Sequence, residues 1–163
     1  MNGCYRRVTA AELEGLRAEP LALSAFLAPP DEFAPPVSRH LDIGGAWQAI
    51  HFLLTGHPWA GGPPFANAVL GGEPISDEDF GYGPIRYLEV DQVAAVAAAL
   101  ETVTADELLS RFDPEALNAA EVYPGGWTDD AAWRAHLAET YGGVRDLFAN
   151  AASEGDGMLL YLA

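Results

Sequence analysis

Five large apolar side chains near the end of the chain constrain its fold more than any other feature. Trp133, Leu137, Tyr141, Val144 and Phe148 recur at steps of three or four residues, which places them along one side of an α-helix. Thr128 or Asp129 is the expected cap, and the helix is expected to reach about Ala152. A helix this long with one apolar stripe has to bury that stripe against a second layer. The residues that follow, Gly157 to Leu162, read as a strand. Gly142-Gly143 fall mid-helix and predict a weak or kinked point.

The rest of the chain alternates short strands with short helices. Residues 3–8 read as a strand. Thr9-Ala-Ala-Glu12 is a capping box that opens a helix buried through Leu13 and Leu16, and Pro20 ends it. A second short helical stretch spans Leu21 to Leu27. Residues 28–38 hold two Pro-Pro pairs and read as an extended loop. Asp42 is expected to cap a helix over roughly 44–54, on which Trp47, Ile50, His51 and Leu54 share a face, and Gly56 closes it. A Gly/Pro-rich stretch runs from His57 to Pro74, with a helical turn expected at Phe65 to Leu70. Ile85 to Val90 alternates like a strand. Asp91 is expected to cap a helix to about Glu101. Thr104-Ala-Asp-Glu107 is a second capping box, and Asp113-Pro114 starts a further short helix. The expected fold is α+β: a single domain over 1–163, helix-majority, with a small mixed or antiparallel sheet covered by several helices.

Composition enters through charge. The 163 residues carry 24 acidic and 8 basic side chains, a formal net charge of −16, and every basic residue is Arg. A surface this negative repels phosphate backbones and anionic lipids, so neither nucleic acid nor membrane is an expected partner. It suits a protein partner with a basic surface. The lone Cys4 can form no internal disulfide and reads as a buried filler. The opening residues have no apolar signal core, and the longest apolar run, Val93 to Leu100, is far too short for a span of about 20 residues. A cytoplasmic location is expected. Oligomeric state is not readable.

Several segments carry a more specific resemblance. Leu41-Asp-Ile-Gly-Gly-Ala-Trp-Gln-Ala-Ile-His-Phe-Leu-Leu-Thr-Gly56, Ala68-Val-Leu-Gly-Gly72, Gly83-Pro-Ile-Arg-Tyr-Leu88 and Glu121-Val-Tyr-Pro-Gly125 occur in that order. Together with the opening Gly3-Cys-Tyr5, they resemble the bacterial YfbM-like family over essentially the whole chain. The resemblance implies an α+β fold and no reaction, because the family is catalogued as a domain of unknown function. The family often carries a Lys before the Trp. Here those positions are Gly44-Gly45-Ala46, so no role needing that cation is expected.

The sharpest chemical constellation is Asp42, Trp47, His51 and Thr55. Trp47, His51 and Thr55 lie four residues apart on one helix face. An oriented His51 is a candidate general base, with Asp42 at the helix start to orient it. Trp47 and Thr55 are the candidate binding residues. On an apolar helix face, however, a lone His is more often a packed residue bonded to backbone. Glu121 and Tyr123, in a Pro-containing turn, form a second candidate catalytic pair. The alternative there is a Tyr anchoring the loop and a Glu facing water. His40, Asp42, His51 and His57 lack the spacing of a metal site, and no metal is expected. The glycines at 61, 62, 71 and 72 make no phosphate loop, and no cofactor is expected. The Trp59 to Phe65 loop either displays aromatic rings to a partner or covers the core edge. Two functional readings follow. The first is a non-enzymatic partner-binding domain. The second is a small-molecule enzyme using His51 as base.

Overall fold

The first and last strands of the chain are neighbours. β1 (Gly3–Val8) and β5 (Gly157–Leu162) pair antiparallel along their whole length, from Gly3 opposite Leu162 to Val8 opposite Gly157. β2 (His40–Asp42) joins the free side of β1, β4 (Arg86–Leu88) joins β5, and β3 (Glu73–Pro74) joins β4. The sheet order is β2-β1-β5-β4-β3, antiparallel at every pairing. These observations come from a computed structural model that describes residues 1–28 and 36–163.

Each face of the sheet is covered, and alternation along β5 divides the residues between the two faces. Met158 and Leu160 belong to the larger core, with Tyr5, Trp47, Ile50, Leu88, Val96 and Phe148. That core is closed by α3 (Trp47–Thr55), α4 (Val90–Glu101) and α7 (Ala131–Glu154). Leu159 faces the other way and packs with Val8, Leu13, Leu16, Leu23 and Ile85. α1 (Ala10–Ala18) and α2 (Leu23–Leu27) supply that side. α5 (Ala105–Leu109) and α6 (Pro114–Ala119) bring Leu108 and Leu117 to the larger core.

The C-terminal stripe behaves as its spacing requires. Leu137, Tyr141, Val144 and Phe148 are all fully buried, while Trp133 packs partly buried against the core. Burying each such side chain contributes roughly 1.5–3 kcal/mol. α7 runs unbroken across Gly142-Gly143. Both Thr capping boxes are present, Thr9 with Glu12 and Thr104 with Glu107. Asp113 caps α6, with Pro114 in its first turn.

Four local expectations are corrected. Asp42 does not cap α3. It ends β2, and its Oδ1 accepts from Gly44 N–H at 2.7 Å, bracing a 3-10 turn over Gly44–Ala46 that feeds the helix. The cap of α4 is Glu89, whose N–H donates to Gln92 Oε1 at 2.9 Å, and Asp91 sits in the first turn. The strand at 85–90 therefore stops at Leu88. The cap of α7 is Asp130, which accepts from Trp133 N–H at 2.8 Å and takes a further bond from the Thr128 hydroxyl. β2 and β3 were not expected as strands. The Pro-rich loop expected over 28–38 falls largely outside the described residues.

Gly3 sets how closely α3 lies on the sheet. A Cβ there would stand 2.6 Å from Trp47 Cβ, closer than packed carbons allow.

Candidate functional site

α3 begins where β2 and the Gly44–Ala46 turn deliver Trp47 beneath the sheet edge. Trp47 is fully buried, with its ring between Trp59 (5.7 Å between centroids) and Tyr123 (5.9 Å, 24° between planes). Its Nε1 has no partner among the described residues. One turn later, His51 is 1% exposed. Its Nε2 lies 3.2 Å from the Ala60 carbonyl. A carbonyl only accepts, so Nε2 carries the hydrogen and Nδ1 carries the lone pair. Burial holds the imidazole below the usual histidine range, helped by nearby His57 and partly offset by the Ala60 bond. The ring is therefore neutral and faces the interior.

Thr55 completes that row. Its single hydroxyl hydrogen is shared between the His51 carbonyl at 2.8 Å and the His57 carbonyl at 3.0 Å, and its oxygen accepts from His57 N–H at 3.3 Å. Gln48, which the sequence reading passed over, does as much. Its Nε2 donates to the Pro58 carbonyl at 3.2 Å, and its Oε1 accepts from Tyr123 N–H at 2.7 Å. The signal was its spacing: 48, 51 and 55 fall at i, i+3 and i+7. These three side chains bind the backbone of residues 57–60 to α3. The loop also braces itself, because His57 Nδ1 accepts from both Trp59 N–H (3.1 Å) and Ala60 N–H (2.9 Å). The row holds in place the loop that carries Trp59.

The other predicted site residues do not converge on His51. Asp42 is exposed and spends its carboxylate on Gly44 and on Asn2 Nδ2 at 3.1 Å. Tyr123 anchors its turn on α3 through Gln48 and Trp47, and its hydroxyl accepts from the Met1 amino group at 3.1 Å. Glu121 is exposed, with a left-handed backbone at φ 53°. Among the described residues, no three His, Cys, Asp or Glu side chains come together as a metal site. Cys4 is buried, and burial together with Asp42 pushes its thiol up to about 11, so it holds no thiolate at neutral pH.

A different concavity opens beside this loop. It is a cleft of about 300 Å³, bordered by Trp59, Tyr82, Arg86 and Tyr161, with Val69, Leu70, Leu160 and Leu162 among its apolar lining. Three large apolar side chains are well exposed among the described residues: Leu21 at 84%, Trp59 at 63% and Tyr82 at 56%. Two of the three border this one cleft. Asp79 shapes the turn that presents Tyr82, its Oδ1 accepting from Gly81 and Gly83 N–H at 2.8 and 2.9 Å. Arg86 donates to the Gly72 carbonyl at 3.0 Å. Among the described residues, no carboxylate, imidazole or thiol side chain lines the cleft. Sequence reasoning could not assemble it, because its walls come from four separated segments.

Comparison with known proteins agrees with this architecture. Protein YfbM of Escherichia coli (strain K12) is 34% identical over 90 residues. The match covers 53% of this chain and spans about half the length of that relative. A crystal structure of YfbM from Escherichia coli, a protein of unknown function, superposes with a TM-score of 0.75 at 23% identity. It covers 98% of both chains, which shows a shared fold. The model of the family described as "Domain of unknown function (DUF1877)" matches residues 1–161. The chain belongs to this family of YfbM-like proteins.

Proposed function

We propose that this chain is a non-catalytic cytoplasmic binding domain that receives a protein partner with a basic surface at the Trp59–Tyr82 cleft. One observation carries the reading: among the described residues, two of the three well-exposed large apolar side chains border the same cleft. Aromatic rings held open to solvent beside an apolar floor are the usual anchors of an interface. The net charge of −16 favours a basic partner. Of the site residues named from sequence, His51 and Thr55 act here as a frame, and together with Gln48 they fix the loop that displays Trp59. No helix is long and apolar enough to cross a membrane among the described residues.

The alternative, an enzyme with His51 as general base, needs an imidazole that a substrate can reach. At 1% exposure, with Nε2–H spent on Ala60, His51 gives that reading no support.

The test is affinity capture with the wild type and with a Trp59→Ala/Tyr82→Ala variant. The expected outcome is a defined partner whose binding weakens with salt and falls at least roughly 30-fold in the variant. The thermal melt of the variant should stay near wild type, because both rings are largely exposed. Capture indifferent to both the substitutions and salt would refute the proposal.

A further inference from the structure

The cleft also exposes backbone. Asn2 and Ala163 exchange both of their backbone hydrogen bonds, at 2.6 and 2.9 Å. Along an antiparallel strand, successive residues turn these groups to opposite sides. Tyr161 therefore faces β1, opposite Cys4, while Leu160 faces β4, opposite Arg86. Leu162 turns its N–H and C=O the same way as Leu160. Its opposite number on the β1 side, Gly3, agrees, since the Gly3 carbonyl accepts from Ile43 N–H on the far side.

On the β4 side, Leu162 has no ladder partner among the described residues. The pairing ends at Arg86–Leu160. Two residues further along the same register the chain offers Pro84, which has no N–H to give. The chain departs there through Gly83, at φ +107°. Leu162, Pro84, Tyr82 and Trp59 all border the cleft. Its wall is thus a short open strand edge flanked by two exposed aromatic rings.

Resting on the partner-binding reading above, we infer that the partner enters the cleft as an extended basic segment. It pairs its backbone with Leu162 as an added strand where β4 leaves β5. Strand addition takes affinity from main-chain bonds and selectivity from alternate side chains. Trp59 and Tyr82 offer ring faces to alternate Arg or Lys side chains. Asp77, Glu78 and Asp79 are exposed on the loop leading to Tyr82. Among the described residues that line the cleft, Arg86 is the single cation, already donating to the Gly72 carbonyl. The balance of charge around the opening therefore favours a cationic occupant.

Titration of the full chain with a short capped peptide of alternating arginine and valine, followed by amide and indole NMR, tests this. The expected result is saturable shifts at both the Trp59 indole and the Leu162 amide. Hydrogen exchange at the Leu162 amide should slow on the order of tenfold or more. Leu162→Pro removes the outward N–H without touching the β1 ladder and should weaken binding about tenfold, whereas Leu162→Val should not. The exchange measurement on wild type stands even if Leu162→Pro fails to fold. A response at Trp59 with none at Leu162 overturns strand addition and leaves the partner-binding reading intact. Equal binding of a glutamate–valine peptide overturns the charge assignment. Silence at both probes overturns the inference, while the capture experiment still judges the reading it rests on.

Discussion

A neutral histidine sealed into a helix face makes stability depend on pH in one direction. His51 has a lowered pKa in the folded chain, caused first by burial. The unfolded chain takes up a proton near the ordinary value of about 6.5, and the folded chain resists it. Folding is therefore most favoured above that value. The advantage shrinks as pH falls through about 6.5 and stops shrinking below the folded pKa. Urea midpoints measured at pH 7.5 and 5.5 should drop on acidification, and His51→Gln should flatten that part of the drop. An unchanged slope in the variant would assign the effect to other groups. The same residue shows the limit of helical spacing as a guide. Position 51 on the inner face was legible, but the Ala60 carbonyl that occupies its Nε2 comes from a loop whose course no local rule specifies. Trp47 and Thr55 share that fate: their place on the helix could be read, and their contacts could not.

At the scale of elements, local chemistry was legible and pairing was not. The boxes at Thr9 and Thr104 and the cap at Asp113 depend on residues two or three positions apart, so they could be read directly. The ends of α4 and α7 slipped because several acidic or hydroxyl residues compete there. Glu89 prevails over Asp91, and Asp130 over Thr128 and Asp129. β2 and β3 have three and two residues, and they are strands only because β1 and β4 lie beside them. Asp130→Ala removes both the acceptor for Trp133 N–H and the partner of the Thr128 hydroxyl. It should cost about 1 kcal/mol of unfolding free energy in chemical denaturation. Asp129→Ala, which loses one exposed pair with Arg134, should cost less.

Across the whole molecule, one buried ion pair ties the chain's two ends into the sheet. Arg7 reaches Asp156 Oδ2 through Nε at 3.0 Å and a terminal nitrogen at 2.8 Å, with both side chains at 10% exposure or less. Asp156 lies between the Gly155 cap of α7 and the start of β5, so the pair fixes the corner through which the long helix returns to the centre of the sheet. Asp156→Ala leaves a buried guanidinium without its partner and should cost about 3–5 kcal/mol. Breaking the exposed Arg17–Glu89 pair should cost less than about 1 kcal/mol, despite its similar chemistry. Thermal or urea unfolding of the two variants side by side checks the contrast. The cleft also belongs to this scale. Residues 59, 69–70, 82–84, 86 and 160–162 meet only once the sheet is assembled, which is why the sequence pointed to α3 and the 121–123 turn instead.

The placement of Trp59 has an optical consequence. Trp47 and Trp127 are sealed in the core and Trp133 is half-buried, while Trp59 alone keeps most of its indole in water. The chain thus carries its own fluorophore at the mouth of the cleft. Red-shifted, quencher-accessible emission comes chiefly from that ring, and the blue component reports the interior. Occupation of the cleft and loosening of the fold therefore leave separate signatures in one unlabelled spectrum.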